Sequence, residues 1–130
     1  MSEKKYKPQA IARESAIKIL YQMKMNNISL KEVVSSFVEK RLYDETLLNK
    51  ILNKYENNNE EIKKLLKEKT DISYDNIPVL DLCIIELGVC EYMYVNKTKN
   101  IIINEYINIA KKYSSPKMYT FLNKILDTTL

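Results

Sequence analysis

The sequence predicts an all-α fold, a helical bundle of six to seven helices in two packed halves, on three observations. Gly occurs once and Pro three times in 130 residues, too few for strands joined by tight turns. Apolar residues recur at three- and four-residue spacings along most of the chain, the period of a helix with one buried face. The apolar fraction of 45% is enough for one core, with 29% charged residues to solvate it. The reading is a single domain over 1–130 with two lobes meeting near Thr70–Ile77.

Met1–Lys7 reads as a short, flexible, lysine-bearing arm. The first helix carries its apolar stripe on Ile11, Ala12, Ala16, Ile19, Leu20 and Met23, with Arg13, Glu14, Lys18 and Gln22 expected to face water. Ser29-Leu30-Lys31-Glu32 is a capping box that opens a second helix, with Leu30, Val33, Val34, Phe37 and Val38 as its buried face. Asp44 can cap a third helix on Leu47, Leu48, Ile51, Leu52 and Tyr55. Asn57-Asn58-Asn59 is expected to punctuate it, with a short fourth helix starting at Asn58 or Asn59 and running through Ile62, Leu65 and Leu66.

Thr70–Ile77 reads as the one substantial connection, and Pro78 suits the first turn of the next helix. That helix is apolar nearly all round, from Val79 and Leu80 through Leu87 to Met93, which places it at the centre of a bundle. Gly88 inside it costs about 1 kcal/mol of helix stability relative to Ala, so a close helix crossing is expected there. Asn100 can cap another helix, with a stripe on Ile102, Ile103, Tyr106, Ile107, Ile109, Ala110 and Tyr113. Ser115 then caps a last helix with Pro116 in its first position, and Met118, Phe121, Leu122, Ile125 and Leu126 form its apolar side.

Composition excludes several kinds of chemistry. With no His there is no imidazole base, no Ser-His or Cys-His nucleophile pair and no His-containing zinc site. Cys83 and Cys90 are two helical turns apart, about 10 Å, which is too far for a disulfide. They read as small buried hydrophobes in a reducing, cytoplasmic setting. No signal peptide is visible, and Asp81, Glu86 and Glu91 interrupt the most apolar segment, which makes it a core helix and not a membrane span. Glu60-Glu61 reads as an acidic helix start. No cofactor, metal or catalytic group is expected, so the chain reads as an adaptor and not an enzyme.

The formal charge is +4, and of 21 basic residues only Arg13 and Arg41 are arginine. Lys4, Lys5 and Lys7 precede a helix that brings Arg13 and Lys18, with Tyr21 eight residues beyond Arg13. Cations on an arm beside an aromatic form a footprint for single-stranded RNA, and serve equally as a solvated tail. A second basic cluster, Lys111, Lys112 and Lys117, flanks Ser114-Ser115-Pro116, where the last helix starts.

Ile103-Asn104-Glu105-Tyr106-Ile107-Asn108-Ile109-Ala110-Lys111-Lys112-Tyr113, followed by Phe121-Leu122-Asn123-Lys124-Ile125-Leu126-Asp127, resembles the signature of the NusB family of bacterial transcription antitermination factors. Ala12-Arg13-Glu14-Ser15-Ala16-Ile17-Lys18-Ile19-Leu20-Tyr21 is similar to the family's opening motif, and Leu80-Asp81 through Ile84-Ile85 to Glu91 is similar to its central one. The resemblance covers nearly the whole chain, in order. It implies an all-helical protein of two bundled halves that binds the boxA element of ribosomal RNA leader transcripts together with ribosomal protein NusE, in an RNA polymerase antitermination complex.

Carried over by position, Lys4, Lys5, Lys7, Arg13, Lys18, Tyr21, Lys117 and Phe121 stand on the RNA side, and Asp81 stands at the partner junction. Asn104, Glu105 and Asn123 read as architectural, tying helix to helix or capping loops. The sequence departs from the family at Gln9-Ala10-Ile11, where arginines are usual, at Glu86 in place of an arginine, and at Lys124 in place of a glycine. The alternatives are a protein-only adaptor or homodimer with weak RNA binding, and the NusB-like domain of a ribosomal RNA methyltransferase, which needs a catalytic domain downstream.

Overall fold

The computed structural model describes the backbone of residues 2–130 and the side chains of residues 7–130. Six helices form it: α1 (Ser2–Asn26), α2 (Leu30–Ser36), α3 (Glu45–Lys69), α4 (Val79–Tyr94), α5 (Lys99–Tyr113) and α6 (Pro116–Thr129), with one 3₁₀ turn at Tyr74–Asn76. Among the described residues there is no strand, and no helix is long and apolar enough to cross a membrane. The arm expected at Met1–Lys7 is not separate from the first helix, since the backbone is already helical from Ser2, and the side chains before Lys7 lie outside the described set.

The expected order of elements is present, with corrections at their edges. The asparagine triplet does not divide α3. Asn57 donates to Asn53 Oδ1 at 2.7 Å, Asn58 to Lys54 O at 2.8 Å and Asn59 to Glu56 O at 3.0 Å, so each side-chain amide bonds back into its own helix. The buried stripe Leu48, Ile51, Leu52, Tyr55, Ile62 and Leu66 runs straight past them, and Glu60-Glu61 lies mid-helix. Packing along a continuous apolar face outweighs the turn preference of asparagine.

Helix α2 is shorter than its pattern suggests. Its Ser29 hydroxyl accepts from Glu32 N as expected, but Phe37 is already extended, and of the predicted face Val33 alone is fully buried. Val34 and Val38 are exposed, Val38 to 74%. A second substantial connection, Phe37–Asp44, therefore joins α2 to α3. Thr98, not Asn100, precedes α5, and Pro78 sits at the cap of α4. The caps read at Asp44 and Ser115 are both made, to Leu47 N at 2.9 Å and Met118 N at 3.2 Å. Helix α1 closes on Asn27 at φ 51°, a left-handed position that asparagine tolerates, with Ile28 N donating to Met23 O.

Helix α4 is the axis. It packs against α1 and α3 on one side and α5 and α6 on the other, and every residue from Asp81 to Glu91 is buried. Cys83 and Cys90 are free and buried, and burial pushes each thiol up to about 12, which keeps both protonated and inert. Two carboxylates enter this core with partners. Glu91 takes Arg13 Nε and Nη2, each at 2.8 Å, and the Tyr106 hydroxyl at 2.9 Å. Glu86 takes Lys24 Nζ and the Tyr55 hydroxyl, each at 2.7 Å. The charge reversal at Glu86 thus becomes an internal tie between α1, α3 and α4.

Gly88 marks the closest crossing. A Cβ there would lie 3.2 Å from Leu126 Cδ2 and 3.5 Å from the Tyr106 ring, both fully buried. In thermal or denaturant melts Gly88→Ala should be near neutral, since a helix-propensity gain of about 1 kcal/mol offsets a shift of a few tenths of an ångström. Gly88→Val, which adds atoms with nowhere to go, should cost about 2–3 kcal/mol.

Candidate nucleic-acid interface

Lys18 lies one turn beyond Glu14 on α1, so both project from the same side of that helix. The α2–α3 connection is held over this surface by Asp44 N donating to Pro8 O at 3.0 Å, which brings Arg41 down onto it. Helix α5 ends alongside and contributes Lys112. Glu14 collects all three: Arg41 Nη2 at 3.1 Å, Lys112 Nζ at 3.0 Å and Lys18 Nζ at 3.5 Å. Lys7 lines the same cleft with Arg41 and Lys112. Glu39 fixes Arg41 further, accepting from its backbone N at 2.9 Å and its guanidinium at 2.8 and 3.0 Å.

The electrostatics follow from this crowding. Burial alone would raise the Glu14 pKa, but its bonds to Lys112 and Arg41 and the charge of Lys18 outweigh that and hold it below its ordinary value of 4.5. Arg41 holds the Glu39 carboxyl at about 2. Lys18, Arg41 and Lys112 surround Glu14, with Glu39 on Arg41, and Lys7 lines the same cleft as Glu105, whose carboxylate is met by Arg13; the lysines and Arg41 remain solvent-accessible. Surplus positive charge in a fixed array suits a phosphodiester.

The array continues through the α5–α6 turn. Tyr113 follows Lys112, is 44% exposed, and has its hydroxyl pKa raised by partial burial and by Glu14 beside it. Ser114 then donates to Asp81 Oδ1, tying the turn to the first turn of α4. Beyond the Ser115 cap, Lys117 and Phe121 are exposed and line a cleft of about 410 Å³ with Asp71, Ser73, Asn76, Ile77 and Met118. Cations with exposed aromatics at intervals make a surface on which a single strand can lay phosphates and stack bases.

Lys7 lines the cleft with Glu14, Arg41 and Lys112, Lys18 meets Glu14 from further along α1, and Lys117 and Phe121 stand on α6 beyond the α5–α6 turn. Tyr21 is half-buried and packs against the core. Asp81 is buried beneath the turn. Lys4 and Lys5 lie outside the described side chains. The expectation that Arg13 and Glu14 face water is overturned: they are 3% and 4% exposed, because Arg13 reaches inward to Glu91 and Glu105, and Glu14 is covered by its cations. Sequence reasoning misses Arg41 and Tyr113 as site residues. Arg41 sits far from the site in sequence, and only its being one of two arginines marks it. Asn104 and Asn123 do not tie helices as expected. Both are exposed along the groove between α5 and α6, whereas Glu105 does tie α5 to α1, through Arg13 at 3.4 Å.

Two measurements separate support from direct binding. Arg13→Ala leaves Glu91 buried without its cation and should cost about 3–5 kcal/mol in denaturant melts, much of it recovered in Arg13→Met/Glu91→Leu. Glu14, with its pKa lowered in the folded state, contributes stability that is complete above about pH 4.5 and fades as pH falls through the folded-state value. The stability gap between wild type and Glu14→Gln should therefore hold steady near neutral pH and close on acidification below 4.5.

The family model described as the NusB family matches residues 10–130. Transcription antitermination protein NusB of Finegoldia magna is 32% identical over 124 residues, covering 92% of this chain and 90% of that protein. Its counterpart in Clostridium botulinum is 32% identical over 127 residues, covering 92% and 96%. Among solved structures, T. maritima NusB superposes with a TM-score of 0.77 at 22% identity, covering 92% of this chain and 88% of that one. The NusB chain solved with NusE and dsRNA superposes with a TM-score of 0.73 at 24% identity, covering 89% and 90%. With nearly its whole length matched in sequence and its helices matched in space, the chain belongs to the NusB family.

Proposed function

We propose that this chain is a transcription antitermination factor that binds boxA-type leader RNA of ribosomal RNA operons together with ribosomal protein NusE, within an RNA polymerase antitermination complex. The single observation that carries the reading is the cation array on Glu14, continued by Tyr113, Lys117 and Phe121. The relatives named as transcription antitermination proteins and the solved complex of NusB, NusE and dsRNA support it. In this reading the chain is one RNA-binding domain, an adaptor without a catalytic step, working in the cytoplasm.

Lys7, Lys18, Arg41, Lys112 and Lys117 meet phosphates. Phe121 and Tyr113 offer faces to unstacked bases, with Tyr21 at the edge of the same side. Arg13 acts by positioning: locked to Glu91, it fixes α1 and so sets where Glu14 presents its cations. Asp81 acts through Ser114, setting the turn where RNA and NusE meet.

RNA binding over a salt series tests this, with and without NusE. Removing one cation from a single-strand phosphate lowers the slope of log K against log salt by about 0.7, so Lys18→Ala/Arg41→Ala/Lys112→Ala should lower it by about 2. Phe121→Ala should leave the slope unchanged and weaken binding by about 1–3 kcal/mol. An unchanged slope in the triple variant, with no enhancement by NusE, sinks the proposal.

A further inference from the structure

The groove between α5 and α6 lies outside the RNA track, yet two polar residues of the most distinctive sequence motifs stand in it. Asn100 and Asn104 rise from α5, Thr120 and Asn123 from α6, over a floor of Ile103 and Ile107, around a space of about 610 Å³. Thr120 is spent on Pro116 O, but the exposed amides of Asn100, Asn104 and Asn123 bond to no other described residue. One end is marked by Lys111 over the Tyr119 ring at 5.8 Å, the other by Asp127 with Lys99 at 3.3 Å.

An amide side chain carries an acceptor and two donors, the complement of a peptide unit. Asn100 and Asn104 are one turn apart, about 6 Å along the axis. Alternate residues of an extended chain repeat at about 6.6–6.8 Å, so successive amides fall close to successive same-facing peptide groups. From Asn100 to Lys111 the α5 wall runs about 16 Å, the length of roughly five extended residues. Nucleic acid fits less well. Lys111 is the single cation among the described lining residues, and the Lys99 beside the far end is taken by Asp127, whereas a phosphodiester needs free cations along its path.

We propose that this groove binds an extended segment of a protein partner, about five residues long. Its main chain hydrogen-bonds to Asn100, Asn104 and Asn123, alternate apolar side chains rest on Ile103 and Ile107, and an acidic residue lies at the Lys111 end. Recognition of this kind takes affinity from the backbone and specificity from every second side chain. The site stands independently of the RNA reading.

The test is selection of phage-displayed linear heptapeptides on the intact chain, followed by titration of synthetic winners against wild type, Asn104→Leu and Asn123→Leu. Both positions are exposed, and melting curves check that the variants fold. Winners should alternate apolar and polar residues with Asp or Glu near one end, and should lose about tenfold or more in affinity on either variant, with boxA-type RNA binding unaltered. In wild type, the side-chain NH₂ resonances of Asn100, Asn104 and Asn123 should shift on peptide addition. The proposal is overturned if no heptapeptide binds, if winners bind the variants equally, if those resonances stay still, or if the variants weaken RNA binding instead.

Discussion

The guanidinium of Arg13 meets the carboxylate of Glu91 through two bonds of 2.8 Å, inside the protein, with the Tyr106 hydroxyl on the same carboxylate. One carboxylate therefore joins α1, α4 and α5. A charge in that position is tolerable only with its partner in place, because desolvating an unpaired carboxylate costs several kcal/mol. The pair fixes how far along α4 the first helix sits, and α1 in turn carries Glu14 one residue on. The floor of the cation array is thus set by a bond facing the other way.

Helix α4 makes this arrangement possible by being apolar on every side. A helix with no polar face has no surface to offer water, so α1 and α3 cover one half of it and α5 and α6 the other. Gly88 lets Leu126 and Tyr106 approach where a side chain would hold them off. Glu86 and Glu91 are then the two buried points at which the surrounding helices lock in register, through Lys24 and Tyr55 at one and Arg13 and Tyr106 at the other. Packing supplies most of the cohesion, and the buried polar bonds make one arrangement of the helices preferred over its neighbours.

The exposed surface follows a different rule. Lys18, Arg41 and Lys112 come from α1, a connection and α5, and they repel each other. Glu14 lets them share one site. A carboxylate under a group of cations lowers the cost of holding them together and leaves a net positive field outside. The α5–α6 turn, tied down by Ser114 on Asp81, extends that surface to Lys117 and Phe121.

By itself the sequence determined the helical class, the central helix, the Gly88 crossing, the caps at Ser29, Asp44 and Ser115, and, through its motifs, the family. These are local or periodic properties, written in three- and four-residue spacings and in side chains that bond to their own backbone. The inward turn of Arg13, the role of Glu86, the continuity of α3 through three asparagines and the meeting of Arg41 with Lys112 were decided by the tertiary structure. Each depends on what lies opposite a residue in space, and spacing along a helix cannot say whether a charged side chain finds water or a buried partner. That Lys7, Lys18 and Lys117 reach the solvent could be read from sequence, because a lysine off the apolar stripe stays on the surface. That Arg13 turns inward could not, because its partner lies 78 residues away.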